Sequence, residues 1–378
     1  MSDSEIPDDT PAVIIDNGSG LCKSGIVGDS IPTSVIPSVV GCSKVTKGSR
    51  STNLKDYYVG KAAQARREVL SLKYPIERGI VICWEEMEMI WRYIYGFELH
   101  VKSKERPVLL TAAPLTPFFN RERMAEIMFE GFSVPAMYIA IPATLALYTS
   151  GRTRGIVLDS GYGVTDAVPI YEGYYLPDAV KRLNVAGGDI TENIWRLMLE
   201  NGHIFAEKIE TEIMQDIKEK LCYISLDPKL ESKKPVEEIQ REYRLPDGTH
   251  ITIENELYAA PEMLFTPETM SSKELGVHRL MLSSITKCEQ RLHKELYSNM
   301  LLSGGSTLFP GMEERLLKEI KLQTPSGIQV KVIAPPERNY SVWMGASILT
   351  SLASFKHMWI TVNDYNDFGP SVVNKRCF

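Results

Sequence analysis

The sequence predicts an α/β protein built from two related lobes, each opening on a strand that ends in an aspartate and turns through glycines. Three observations carry that prediction. The apolar run at residues 12–15 ends at Asp16 and passes into Asn17-Gly18-Ser19-Gly20, with Lys23 on the returning strand. The pattern returns at Gly155-Ile-Val-Leu-Asp159-Ser-Gly-Tyr-Gly163, ahead of a second strand through Val168, Pro169 and Ile170. Between and after the two copies, short apolar strands alternate with helical periodicity. Taken alone, the first stretch fits an ordinary Asn-Gly hairpin as well as an anion clamp. The gapped repeat is more specific than either hairpin, and implies an internal duplication with an anion gripped between two lobes.

Length and charge bound the rest. At 378 residues the chain exceeds one ordinary core, so two or more domains are expected. A net charge of -6 argues against a general nucleic-acid-binding role. The six cysteines lie apart with no C-x-x-C pair, and no signal peptide stands at the start, which suggests reduced thiols in a cytosolic compartment. The six histidines show no zinc spacing. No apolar run approaches the roughly 20 residues of a membrane span. The expectation is a cytoplasmic protein.

In chain order, residues 1–11 are acidic and read as a mobile tail. Residues 31–40 alternate apolar residues with prolines, which suits an edge strand. Residues 41–56 turn polar and read as an exposed loop, residues 57–60 as a short strand, and residues 61–70 as helical. Residues 84–95 form an amphipathic helix with Met87, Ile90, Trp91 and Ile94 on one face. Residues 107–113 are a buried strand. Asn120 is the expected N-cap of a helix reaching Phe129. Residues 135–141 are a strand, and Pro142 opens a helix closed by Gly151. Helices are expected at 189–199 and 207–222, and a hairpin at Asp247-Gly248. One helix is expected over 271–297, facing inward through Met281, Ile285 and Leu292. Met300-Leu-Leu-Ser-Gly304-Gly305 is a third strand-to-glycine turn, opening a helix at Met312. A strand at 330–333, a helix around 343–352 and a polar tail to Phe378 complete the chain.

Glycines let backbone N–H groups approach an anion, while Ser19 and Lys23 add donors and Asp16 can sit near a metal. Two such hairpins with a distal Gly-Gly turn resemble the nucleotide-binding core shared by actins, Hsp70-type chaperones and hexokinase-like sugar kinases. Flanking segments narrow the likeness to the actin family. They are Leu72-Lys-Tyr-Pro-Ile-Glu-Arg-Gly-Ile-Val81, Pro169-Ile-Tyr-Glu-Gly-Tyr174, Ile217-Lys-Glu-Lys-Leu-Cys-Tyr223, Tyr243-Arg-Leu-Pro-Asp-Gly248, Ile333-Ala-Pro-Pro-Glu-Arg338 and Lys375-Arg-Cys-Phe378. The divergence is that of an actin-related protein, and residues 233–243 resemble testis-type members most.

The resemblance implies duplicated ribonuclease-H-like lobes in four subdomains around a nucleotide cleft. Residues 1–37 with 75–149 and 340–378 would form one large subdomain and 38–74 its small companion. Residues 150–186 with 276–339 would form the second large subdomain and 187–275 its companion. The cleft would hold ATP or ADP with Mg2+ or Ca2+. Asp16, Gly18, Ser19, Gly20, Leu21 and Lys23 match the first phosphate loop, and Asp159, Gly161, Gly163 and Val164 the second. Gly187, Glu212, Lys218, Glu219, Gly304 and Gly305 match positions around ribose and adenine. Asp16 and Asp159 would reach the metal through water.

Departures from the family pattern are as informative. Pro142 stands where actins place a water-orienting glutamine, and Asp166 where they place a histidine. Asp166 is expected to repel a γ-phosphate. Tyr162 replaces a metal-facing aspartate. Gln215, Asn339, Phe309 and Gly188 replace arginine, lysine, tyrosine and arginine on the adenine and ribose side, which weakens affinity. Losing water-positioning groups costs on the order of 10²- to 10⁴-fold in rate, so no useful ATPase is expected. Two apolar polymer contacts have become polar, at Lys44-Val-Thr-Lys-Gly-Ser-Arg-Ser51 and Pro267-Glu-Thr-Met-Ser-Ser-Lys-Glu274, which makes an actin-type homopolymer doubtful. The groove segments at 144–148, 171–174 and 344–355 stay actin-like, so actin-binding proteins are plausible partners there. The leading expectation is a nucleotide-holding structural subunit of a cytoskeletal assembly. A polymerising ATPase is the alternative, and a small-molecule kinase a distant third.

Overall fold

The computed structural model describes residues 10–43, 57–202, 211–270 and 273–377. The chain divides into two compact units. The first comprises Met1–Thr153, Glu172–Tyr175 and Tyr340–Phe378, and the second Arg154–Tyr171 and Leu176–Asn339.

In the first unit, Val13–Asn17 lies inside a six-stranded sheet. It pairs antiparallel with Leu21–Ile26 and parallel with Val108–Thr111, so Asp16 faces Lys23 across the hairpin. Ala136–Ala140 continues the parallel side and Ser34–Pro37 forms the proline-bearing edge. Val13, Ile14 and Ile15 are fully buried, as befits a central strand covered on both faces. Helix Ser341–Ser351 packs on helix Pro142–Thr149. That approach needs Gly345, where a Cβ would stand 1.8 Å from the Leu145 carbonyl oxygen.

The second unit repeats the plan. Gly155–Ser160 pairs antiparallel with Thr165–Tyr171 and parallel with Met300–Ser303, which pairs in parallel with Val332–Ile333. Lys181–Leu183 flanks Thr165–Tyr171. In both units, then, an aspartate-headed strand has a hairpin partner on one side and a parallel strand on the other. That is the duplication the sequence implied, in mixed α/β form. The core of the second unit joins Ile156, Leu158 and Leu302 of the sheet to Ile190, Ile194 and Met281 of the helices.

Several local expectations change. Residues 41–43 are not loop: Val40–Ser43 is the central strand of a three-stranded sheet, between Tyr57–Val59 and Leu70–Lys73. The backbone pairing on both sides outweighs the polar composition. The helix at 61–70 shrinks to Lys61–Gln64, because Leu70 is drawn into that sheet. Asn120 is not a cap, since the helix runs Phe118–Glu126 from an N-cap at Pro117. The Asn120 amide instead donates to the Val81 carbonyl at 2.8 Å. The single helix over 271–297 is two, Val277–Lys287 and Gln290–Ser298, parted by extended Cys288 and Glu289. The break redirects the chain while Ile285 and Leu292 both stay buried. The polar tail is ordered: Ile360–Thr361 pairs with Ala136–Ala140, and helices Val362–Phe368 and Val372–Arg376 follow. The acidic tail up to residue 9, the loop at 44–56, residues 207–210 of the expected helix, residues 271–272 and Phe378 lie outside the described residues. None of the six cysteines is in a disulfide. Among the described residues no helix is long and apolar enough to cross a membrane.

Candidate functional site

The first glycine-rich turn is held by residues far away in sequence. Asp16 is buried at 6 % exposure. One carboxylate oxygen accepts from the Lys23 ammonium at 3.1 Å and the other from the Thr111 hydroxyl at 2.9 Å. The Thr111 hydroxyl oxygen accepts in turn from the Asn17 amide at 2.9 Å. The Asn17 side-chain oxygen takes the indole N–H of buried Trp91 at 3.0 Å. Ser38 donates to the Gly18 carbonyl at 2.6 Å, and its amide to that of Gly20 at 2.9 Å. Ser19 accepts from the Gly79 amide at 2.9 Å, which leaves its own proton available to donate. At Gly18 a Cβ would lie 2.4 Å from the Leu21 carbonyl oxygen, so the turn admits only glycine there. Leu21 is exposed. Six residues matched to this loop thus share one hairpin. Thr111, Trp91, Ser38 and Gly79 support it and escaped the sequence reading, since each lies far along the chain.

In the second unit, Asp159 faces Asp166 across the hairpin, and the Gly161 amide closes the turn on the Val164 carbonyl at 3.1 Å. This loop is bonded onto helix Gly187–Glu200. The Gly187 amide donates to the Gly161 carbonyl at 3.0 Å, and the Gly188 amide to the Tyr162 carbonyl at 2.8 Å. The Ser306 hydroxyl adds a 2.6 Å bond to the Gly161 carbonyl. The first two amides of that helix are therefore spent on the loop, and Asp189 in its first turn takes the Ala186 amide at 2.9 Å. A Cβ at Gly304 would stand 2.2 Å from the Ser160 carbonyl oxygen, and its φ is +86°. Gly305 follows at the start of a short helical turn.

Lys218 is buried and donates to the Gly187 carbonyl and the Thr191 hydroxyl, both at 3.0 Å. Burial pulls its ammonium below the usual lysine range. Glu212 and Glu219 share its helix, Thr211–Leu221, but Glu219 is exposed and accepts from Gln215 at 2.8 Å. Phe309 is buried in the core of the second unit.

The expectation for Asp166 needs correcting. Its two oxygens accept from the Nε and Nη2 of Arg182 at 2.8 and 2.9 Å, a bidentate pair with both partners largely buried. Burial pushes the carboxyl up from the usual range while Arg182 pulls it back. Its charge is neutralised locally, so it does not act as an uncompensated negative charge against a phosphate. Pro142 sits at the first position of helix Pro142–Thr149, with no side-chain donor or acceptor.

Phosphates fit the first loop, which joins a glycine too close to backbone for any Cβ with a hydroxyl and an ammonium. For a divalent cation the second loop offers Asp159, half-buried near the end of its strand, and little else. Asp166 spends both oxygens on Arg182, and Tyr162 presents a phenol. Among the described residues no three His, Cys, Asp or Glu side chains gather as a ligand set.

The first unit also carries a cavity of about 120 Å³ lined by Tyr138, Ile141, Leu145, Tyr148, Leu349 and Met358. The buried Thr144 hydroxyl on its wall has no hydrogen-bond partner. Set against known families, residues 7–378 match the family model described as Actin.

Proposed function

The chain belongs to the actin family, and from that premise we propose that it is a divergent actin-related member that holds ATP or ADP, hydrolyses little or none of it, and serves as a structural subunit or scaffold of a cytoskeletal assembly. The observation that carries this reading is the contrast between the loops. Asp16, Ser19 and Lys23 keep the acceptor and donors that a phosphate loop needs. On the hydrolytic side, Pro142 offers no side-chain polar atom and Asp166 is spent on Arg182.

A bound nucleotide with Mg2+ or Ca2+ would supply phosphate charge for these groups to neutralise. With nucleotide bound, the Lys23 ammonium and Ser19 hydroxyl would hold phosphate oxygens, and Asp16, both of whose oxygens are engaged by Lys23 and Thr111, would meet a cation only through water. Lacking a positioned base, the loops bind without activating water. Binding to the folded state alone stabilises it by about 2.7 kcal/mol at a ligand concentration 100 times Kd, so a nucleotide that is never cleaved still acts as a structural cofactor. The actin-like groove segments line an apolar cavity of the first unit, and a cytoskeletal protein is the partner proposed for that groove.

Two measurements test this together. Protein denatured after purification should release ATP or ADP on chromatography, and the native protein should release no phosphate above background. Under magnesium and salt it should stay in the supernatant on sedimentation. Phosphate release at the rate of conventional actin, with robust pelleting, would favour a polymerising ATPase instead.

A further inference from the structure

We infer that His278 is an acid-sensitive latch in the second unit: as a neutral ring it closes over Phe265, and on gaining a proton it leaves that seat and frees the start of its helix. The residue lies in the first turn of helix Val277–Lys287, yet it is only 7 % exposed. Its ring stacks on that of buried Phe265, with centroids 5.8 Å apart and planes 19° from parallel. The helix start is pressed against the same residue. A Cβ at the N-cap, Gly276, would stand 2.0 Å from the Phe265 carbonyl oxygen.

This seat suits the neutral ring alone. Nδ1 is buried without a hydrogen-bond partner. A protonated imidazole carries an N–H on both nitrogens, so at Nδ1 a charged donor would be buried unpaired. The Phe265 ring already takes the Arg315 guanidinium, 4.8 Å from its centroid. Arg279 on the same helix and Arg315 on helix Met312–Gln323 oppose a further positive charge. Glu319 of the latter helix and Glu268 of the short turn Pro267–Met270 favour one. Both glutamates already face arginines, Glu319 accepting from Arg315 at 2.8 Å and Glu268 lying 3.9 Å from Arg279. Burial outweighs these charges and holds the imidazole below the usual histidine range. A base kept neutral by folding adds stability that is complete above that range and is lost as pH falls through it.

Hydrogen exchange of the full chain at pH 7 and pH 5, followed by mass spectrometry and corrected for intrinsic rates, reads the opening equilibrium of residues 277–287. An unfolded histidine titrates near about 6.5, so a ring that stays neutral in its seat should raise that equilibrium about 25-fold over this range. His278→Leu and His278→Gln cannot ionise and should both flatten the rise, and thermal unfolding at pH 7 checks that each is folded. Asp166, in the same unit, is raised on folding and acts in the opposite sense, so it cannot supply the trend. An NMR titration of the wild-type ring needs no variant: His278 should remain neutral below about pH 6.5. A rise of more than about three-fold that both substitutions abolish bears the inference out. A smaller rise, an equal rise in either folded variant, or a ring that gains its proton at or above about pH 6.5 overturns it.

Discussion

Replacing Arg182 with methionine keeps most of the side chain's apolar length and deletes the guanidinium from Asp166. The wild-type pair is bidentate at 2.8 and 2.9 Å, with side-chain exposures of 13 % for Arg182 and 6 % for Asp166. At an effective dielectric near 20, one such contact is worth about 6 kcal/mol before desolvation. Desolvation returns much of that, yet stranding one buried partner still costs about 3–5 kcal/mol. Arg182→Met should therefore destabilise the second unit by about that much at pH 7. The pH trend follows from the direction in which the carboxyl is displaced. Burial already raises Asp166 in the folded state, opposed by Arg182. A carboxyl raised on folding contributes stability that is fully present below its unfolded value and is lost as pH rises through the folded one. Without Arg182 the folded value climbs further. The deficit should therefore shrink as pH falls from 7 to 5. Urea unfolding read by hydrogen-exchange mass spectrometry over residues 155–183 reports this unit apart from the first. Asp166→Asn, which can still accept one bond from Arg182, should cost less and lack the pH trend. A deficit below about 1 kcal/mol at pH 7, or one that grows toward pH 5, would refute the account of Asp166 as a structural carboxylate.

Two further outcomes follow from the loops. Lys23→Ala strips the ammonium from buried Asp16 and should lower stability by about 2–3 kcal/mol, with nucleotide affinity falling more than about ten-fold, read by thermal shift and analogue titration. Gly304→Ala places a Cβ 2.2 Å from a backbone oxygen at a φ of +86° and should cost about 2–4 kcal/mol; an unchanged Tm would contradict that close approach.

Most of the architecture was legible because it is written locally. The Asp16 and Asp159 hairpins, the strand at 108–111, the helix at Pro142 and the Asp247-Gly248 turn each carry their own periodicity or turn chemistry. What failed depended on partners elsewhere. Asn120 has the residue type of a cap, but a long-range bond to Val81 takes its amide. Composition made residues 41–43 a loop, and two flanking strands made them a sheet centre. The break at Cys288 leaves no trace in the apolar stripe, because Ile285 and Leu292 are buried on both sides of it. The first-loop residues were found from glycine spacing. Thr111 and Trp91, which fix that loop, lie 94 and 74 residues from Asn17 and carry no local signal.

The second loop shows why substitutions judged one by one mislead. Asp166, taken alone, is a negative charge set against a phosphate; with Arg182 it is a closed ion pair. Tyr162 is a bulky intrusion by itself, but its ring packs closely over Gly188, where a Cβ would lie 3.1 Å from Cε1 and Cζ. Asp166 thus fits its surroundings through Arg182, 16 residues away, and Tyr162 packs against Gly188 on the neighbouring helix. A decayed loop would be expected to leave buried polar atoms unpaired. Here the carbonyls of Gly161 and Tyr162, both oxygens of Asp166 and the ammonium of Lys218 all have partners. The first loop, in contrast, retains a hydroxyl proton on Ser19 beside the Lys23–Asp16 ion pair. The Ser19 proton can turn to a ligand, whereas the Asp166 carboxylate and the Gly161 and Tyr162 carbonyls of the second loop are committed to the fold. That asymmetry is the physical basis for expecting retention of nucleotide without turnover.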